Sequence, residues 1–290
     1  MKRIIFLLAI AFSLTLSAKK NPAIVILTAG QSNTDGRVMN TELPSEIQQN
    51  KYKYCQWSFG SGTLSGEGRF ETFWPRIVNK NNPNRYAYDA IVYYKLEQKL
   101  KKPFYVIKES LGGTAIDTLC SSTNKMYWSA DPAYLARTEA ADKGGKSLLK
   151  AFTDNIGACI DNQLLQLPEG YDIKVLLWHQ GESDRHKAKN YYKNLKEMIL
   201  YVRNFLVQKT GNRKYANLPI VLGGVAHKSK QYTPDVEEAK HQLAKEDKNI
   251  YVVDVPDASL RKDVLHFDAA GAEELGAKVY NLLIDKKILK

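Results

Sequence analysis

The stretch Ala23-Ile24-Val25-Ile26-Leu27-Thr28-Ala29-Gly30-Gln31-Ser32-Asn33 decides how this chain is read. Its apolar half is short and non-alternating, the pattern of a strand covered on both faces. Its polar half puts a serine where that buried strand ends and the chain turns outward. Runs of the same character recur at 104–108, 173–178, 220–225 and 250–255. Helical periodicity fills the intervals, over 86–100, 146–165, 190–208 and 234–248, and a last helix is expected over 272–288. Strand alternating with helix implies βαβ units. The expected fold is α/β: a three-layer α/β/α sandwich with a central, mostly parallel five-stranded sheet.

The chain has 290 residues, 44% of them hydrophobic, which suits one large domain. Residues 1–18 read differently from the rest. Lys2 and Arg3 form a basic start, Ile4 to Leu16 is apolar, and Leu16-Ser17-Ala18 offers a small residue for cleavage. That is the pattern of a signal peptide, and the apolar run is short for a membrane span. The expectation is export, to the periplasm or the medium, with 19–290 as the mature domain and no stable membrane insertion after cleavage. The formal charge is +11, and loss of Lys2 and Arg3 would leave +9. The basic residues are scattered along helical stretches rather than gathered, so no nucleic-acid partner is expected. Cys55, Cys120 and Cys159 allow one bridge with a free thiol, or no bridge. No metal and no cofactor are expected: His179, Glu182, Asp184 and His186 follow no recognised ligand spacing. Oligomeric state is left open.

In a parallel sheet, sites form at the carboxyl ends of the strands. Ser32 follows the first strand, Gly112-Gly113 the second, Gln180-Gly181-Glu182 the third, and Asp263-Val264-Leu265-His266-Phe267 the fifth. A serine hydroxyl becomes a nucleophile when a base takes its proton, and the base needs a carboxylate to fix its tautomer. Ser32 and Asp263-x-x-His266 supply those parts. Two long segments, roughly 37–80 and 114–145, are rich in Gly, Ser, Tyr and Trp and are expected to be ordered loops beside the site.

These blocks, Gly30-Gln31-Ser32-Asn33, Gly112-Gly113-Thr114, Trp178-His179-Gln180-Gly181-Glu182-Ser183-Asp184 and Asp263-x-x-His266-Phe267, resemble the SGNH-hydrolase superfamily. Within it they are similar to the sialate O-acetylesterase-like and carbohydrate esterase family 6 (acetylxylan esterase-like) branch. The resemblance spans essentially the whole mature chain and implies a flavodoxin-like sandwich. It implies Ser32 as nucleophile and His266 as general base, then general acid. Asp263 is the favoured carboxylate behind His266, and Glu182 is its rival. The oxyanion donors it implies are the amides of Ser32 and of Gly112 or Gly113, with the side-chain amide of Gln180. Gln31 and Asn33 would orient the serine turn and are also candidate substrate-binding residues. Thr34-Asp35-Gly36-Arg37 follows Asn33 where the branch commonly has a methionine, a departure bearing on packing or the acyl pocket.

The substrate implied is an acetylated carbohydrate, on sialic acid or a plant or host polysaccharide, with Trp57, Trp74, Tyr127 and Trp128 as aromatic faces for sugar rings. Each of those aromatics is otherwise an apolar anchor for its loop. The alternatives are a lipase-like or thioesterase member with another acyl group, and a carbohydrate-binding protein without turnover.

Overall fold

The computed structural model describes residues 21–77 and 83–289. The expected leader over 1–18 lies outside them. The strands are β1 (Ala23–Gly30), β2 (Val38–Met39), β3 (Cys55–Gly60), β4 (Glu71–Thr72), β5 (Arg85–Tyr86), β6 (Phe104–Ser110), β7 (Tyr171–His179), β8 (Ile220–Gly223) and β9 (Ile250–Val253). The helices are α1 (Ser32–Asp35), α2 (Ser45–Asn50), α3 (Tyr88–Leu100), α4 (Pro132–Ala136), α5 (Leu148–Asn162), α6 (Tyr191–Thr210), α7 (Pro234–Glu246) and α8 (Ala269–Asp285). Each of the five expected strands and five expected helices is present.

The central sheet has seven strands rather than five, in the order β4-β3-β6-β1-β7-β8-β9, all parallel except β4. The additions β3 and β4 fall inside the expected loop 37–80. In β3, polar Gln56 and Ser58 interrupt Cys55, Trp57 and Phe59, so no continuous apolar run marks it.

Every residue of β1 is buried, because both faces of the sheet are covered. On one face Val25, Leu27 and Ala29 pack with Phe152 of α5, Val202 of α6 and Leu243 of α7. On the other, Ile24 and Ile26 join Ile91 and Leu96 of α3 and Leu275 and Val279 of α8. Alternate residues of one strand thus feed two separate cores, which is the three-layer sandwich.

The order of strands places the site. β1 lies centrally, with β6 on one side and β7 on the other, so successive connections leave it in opposite directions. Such a switch point opens a crevice beyond the strand ends. Gly30 pairs with Ser110 of β6 and with His179 of β7, so the three strands end level. Ser32, Gly112 and Glu182 therefore emerge together at the rim. A separate two-stranded ribbon, β2 with antiparallel β5, borders the same rim.

Candidate active site

Gly30 makes the first turn. Its φ is +153°, and a Cβ there would lie 2.1 Å from the His179 carbonyl oxygen and 2.4 Å from Thr34 Oγ1. Only glycine lets the chain leave the sheet so close to its neighbour strand. The Gln31 amide then donates to the His179 carbonyl at 3.1 Å, which turns the chain into α1 and presents Ser32 at its first residue.

His266 reaches Ser32 from the far end of the sequence. His266 Nε2 lies 3.1 Å from Ser32 Oγ, and His266 Nδ1 lies 2.8 Å from Asp263 Oδ2. Asp263 Oδ1 also accepts from the amides of Leu265 (2.9 Å) and His266 (3.1 Å). The loop is wound tightly enough to force Val264 to a φ of +57°, a region that β-branched residues rarely occupy. Burial raises the Asp263 carboxyl pKa, but hydrogen bonds from the His266 ring and from the His266 and Leu265 amides outweigh it and hold it down at about 2. The carboxylate is therefore a standing anion behind the imidazole. Such an anion favours the tautomer with Nδ1–H directed toward it, which leaves Nε2 unprotonated and facing Ser32 Oγ.

Glu182 stands elsewhere. It is buried, and its Oε1 accepts from Asn33 Nδ2 at 3.0 Å. Asn33 Oδ1 in turn accepts the Phe267 amide at 3.1 Å. The rival carboxylate thus reaches the His266 loop only through Asn33, and Asp263 is the one facing the ring. His179 and Lys240 flank Glu182. His179 Nδ1 is 3.7 Å from Glu182 Oε1, while His179 Nε2 meets the Gly224 carbonyl at 2.9 Å. Lys240 Nζ donates to the Gly223 carbonyl at 2.7 Å, and burial pulls its pKa down to about 8.

The expected oxyanion donors divide. Among the described residues the backbone amides of Ser32, Gly112 and Gly113 have no acceptor. A Cβ on Gly112 would lie 3.3 Å from Ser32 Cβ, so its backbone borders the Ser32 side chain. Gln180 departs from expectation: it is fully buried, and its Nε2 donates to the Thr114 carbonyl at 3.0 Å and to Asp184 Oδ2 at 2.5 Å. Both amide hydrogens are engaged, leaving none for an oxyanion. Asp184 also accepts the amides of Ile116 (3.0 Å) and Asp117 (2.8 Å), so Gln180 and Asp184 together clamp the segment after Gly113. Burial raises the Asp184 pKa to about 6, against the hydrogen bonds it accepts.

Gln31 and Asn33, expected as candidate substrate contacts, are instead buried framework whose side chains are engaged by Ser183, Glu182 and Phe267. Gln31 Oε1 accepts the Ser183 amide at 3.2 Å. Of the tryptophans, Trp57 is 1% exposed and stacks on Phe59, with ring centroids 4.7 Å apart. Trp128 is fully buried and donates to Thr114 Oγ1 at 3.1 Å. Neither offers a face to a sugar, because the segments expected as loops fold back onto the core. Tyr127 donates its hydroxyl to the Cys120 carbonyl. Trp74 lines an open cleft of about 330 Å³ with Met39, Asn40 and Asn84. All three cysteines are free and buried, so no bridge forms. Among the described residues no helix is long and apolar enough to cross a membrane.

Sequence reasoning missed Arg37 and Arg261, which frame this site. Arg261 Nη1 donates to the Arg37 carbonyl at 2.6 Å, and the Arg261 amide donates to the His266 carbonyl at 2.8 Å. Position beside the two motifs was the available signal.

A family profile described as "carbohydrate esterase, sialic acid-specific acetylesterase" matches residues 22–285. A probable carbohydrate esterase of Arabidopsis thaliana is 33% identical over 110 residues, 37% of this chain and 38% of that protein. The alignment thus spans well under half of that relative's length. Its solved structure has a TM-score of 0.61 at 19% identity, covering 91% of this chain and 98% of that one. The crystal structure of NanS has a TM-score of 0.62 at 13% identity, covering 92% and 98%. At those identities the likeness shows a shared fold. The family match covers every strand of the sheet and every residue of the Ser32 site, and the chain belongs to the carbohydrate esterase family of sialic acid-specific acetylesterases.

Proposed function

We propose that this protein is a serine esterase that removes O-acetyl groups from carbohydrate. One observation carries the reading: Ser32 Oγ, His266 and Asp263 lie in hydrogen-bonded sequence at 3.1 and 2.8 Å. Ser32 Oγ attacks the acetyl carbonyl carbon while His266 Nε2 takes its proton. The oxyanion meets the amides of Ser32 and of Gly112 or Gly113. His266 then returns the proton to the departing sugar oxygen. Water, deprotonated by the same nitrogen, attacks the acetyl-serine, and His266 returns that proton to the departing Ser32 Oγ as acetate is released. The leader-like residues 1–18 support action outside the cytoplasm.

An acyl-length series tests the reading. Aryl acetate should turn over well and aryl octanoate barely, and a fluorophosphonate should add once, at Ser32, by intact mass and peptide mapping. A preference for octanoate would make the protein a different kind of esterase. Ligand binding with no turnover and no adduct would make it a binding protein.

A further inference from the structure

Two adjacent glycines are a loose support for an amide that must not move. Glycine takes left- and right-handed backbone conformations alike, so the peptide joining Gly112 to Gly113 has little of its own to hold its plane. Gly113 sits at a φ of +71°. An oxyanion donor acts by being aimed before the charge develops, and a plane free to turn would forfeit that. The groups around the pair therefore decide whether the Gly113 amide can serve.

The flanking peptides are held from the core. Leu111 follows β6, and its amide donates to the Gly30 carbonyl at 3.3 Å. From buried Thr114, Oγ1 donates to the Leu111 carbonyl at 2.7 Å and accepts from Trp128 Nε1 at 3.1 Å. Beyond Gly113, Gln180 holds the Thr114 carbonyl, and Asp184 holds the Ile116 and Asp117 amides. None of these bonds reaches the Gly112 carbonyl. Among the described residues that carbonyl accepts from Thr123 Oγ1, at 2.7 Å.

Thr123 is closely fitted to the pair. Its Oγ1 also lies 3.3 Å from the Gly113 carbonyl, and its amide donates to that same carbonyl at 2.9 Å. A hydroxyl has one hydrogen to give, and the shorter contact is to Gly112. A Cβ built on Gly113 would be 2.7 Å from Thr123 Oγ1, so the hydroxyl sits directly against the glycine. The next two residues, Asn124 and Lys125, have φ of +54° and +56°, a left-handed pair that non-glycine residues seldom form. The turn is tied down at its base. Ser122 Oγ accepts the Ala115 amide at 3.1 Å and donates to the carbonyl of buried Met126. An unfavourable backbone is thus kept where it lays one hydroxyl on the Gly112–Gly113 peptide.

In a trans peptide the carbonyl and the amide hydrogen point in opposite directions across one rigid plane. Because Thr123 fixes the Gly112 carbonyl, the Gly113 N–H is turned away from Thr123, and it has no acceptor among the described residues. We infer that Thr123 is a positioning residue for the oxyanion site, holding the Gly112 carbonyl so that the Gly113 amide stays aimed at the oxyanion formed on Ser32. The inference rests on the esterase reading above and makes Gly113 the donor that Thr123 governs. Thr123 touches no reacting atom in this role and acts only through the peptide.

The test pairs Thr123→Val, which keeps the shape and the backbone amide but removes the hydroxyl, with Thr123→Ser, which keeps the hydroxyl. On aryl acetate, Thr123→Val should lower kcat by about 10–100-fold, less than loss of a whole donor, with KM within about threefold. Thr123→Ser should recover most of that loss. Phenylboronic acid gives a second readout. Its boron takes up Ser32 Oγ as the hydroxyl proton passes to His266, and a boron-bound oxygen occupies the oxyanion site. Its inhibition constant should weaken by about tenfold in Thr123→Val, while the thermal midpoint stays near that of the wild type. A kcat within about twofold of the wild type in Thr123→Val, or no recovery in Thr123→Ser, would overturn the inference. So would unchanged boronate inhibition, or a thermal midpoint that falls along with kcat, which would make Thr123 a merely structural residue. Wild-type protein that neither hydrolyses aryl acetate nor binds the boronate would instead sink the esterase reading, and the inference with it.

Discussion

Asn33 Nδ2 donates to Glu182 Oε1 at 3.0 Å, so a buried carboxylate just beyond the end of β7 is joined to the residue after the serine. Because Asn33 Oδ1 takes the Phe267 amide, Glu182 fixes which way the Asn33 amide points and, through it, where the His266 loop sits. Glu182 is a positioning residue. Asp263→Asn should reduce kcat by roughly 10²–10⁴-fold, since the imidazole loses its tautomer. Glu182→Gln should cost about tenfold and Asn33→Ala about a hundredfold, by misplacing the loop. Steady-state kinetics of the three variants check this order. A larger loss in Glu182→Gln than in Asp263→Asn would contradict it.

Gln180 distinguishes a clamp from an oxyanion donor. A donor removed without other consequence cuts kcat by about 10²–10³-fold and leaves stability alone. Gln180 is tied to Thr114 and Asp184, so Gln180→Ala should strand a buried carboxylate and a carbonyl. The expected result is destabilisation of about 2 kcal/mol by urea unfolding. Full stability with a large fall in kcat would restore Gln180 to the oxyanion site.

The Asp263 carboxyl titrates at about 2 in the fold, against about 3.9 in an unfolded chain. The unfolded state binds this proton more tightly, so folding stability falls with pH across that window. Asp263's contribution is complete above about pH 4 and is lost as pH falls through about 2. The side chain is 40% exposed, so the effect is small and is read as a difference. Between pH 5 and pH 2.5 the wild type should lose more stability than Asp263→Asn. Parallel losses would show that the Asp263–His266 pair does not form.

Trp57 and Trp74 lie in the same stretch of sequence and do different things. Trp57→Ala should destabilise the protein by about 3–5 kcal/mol, as expected for an aromatic removed from a packed cluster. Trp74→Ala should leave thermal stability nearly intact and, if the cleft receives substrate, raise KM for polymeric substrate. An equal loss of stability in both would refute the division.

These contrasts show what was legible beforehand and why. The β1 run and its four relatives carry the sheet in plain view, because strands covered on both faces are mostly apolar. Ser32 and Asp263-x-x-His266 are legible because nucleophile chemistry allows few residue types and the strand ends give them addresses. Strand β3 escaped notice because Gln56 and Ser58 break its apolar pattern. The fate of Gln180 was hidden because a side-chain amide has the same chemistry in a clamp as in an oxyanion site, and only its partners decide. The arginines were hidden for a related reason. Arg37 and Arg261 are far apart in sequence, and their meeting depends on how the His266 loop is folded.

The central claim is that Ser32 forms and releases an acetyl ester under the control of His266. Acetate release from an O-acetylated sugar by wild type and Ser32→Ala, both folded by circular dichroism, tests it most directly. The account predicts rapid release by the wild type and a loss of at least about 10⁴-fold in Ser32→Ala. Turnover retained within about tenfold in Ser32→Ala would contradict it.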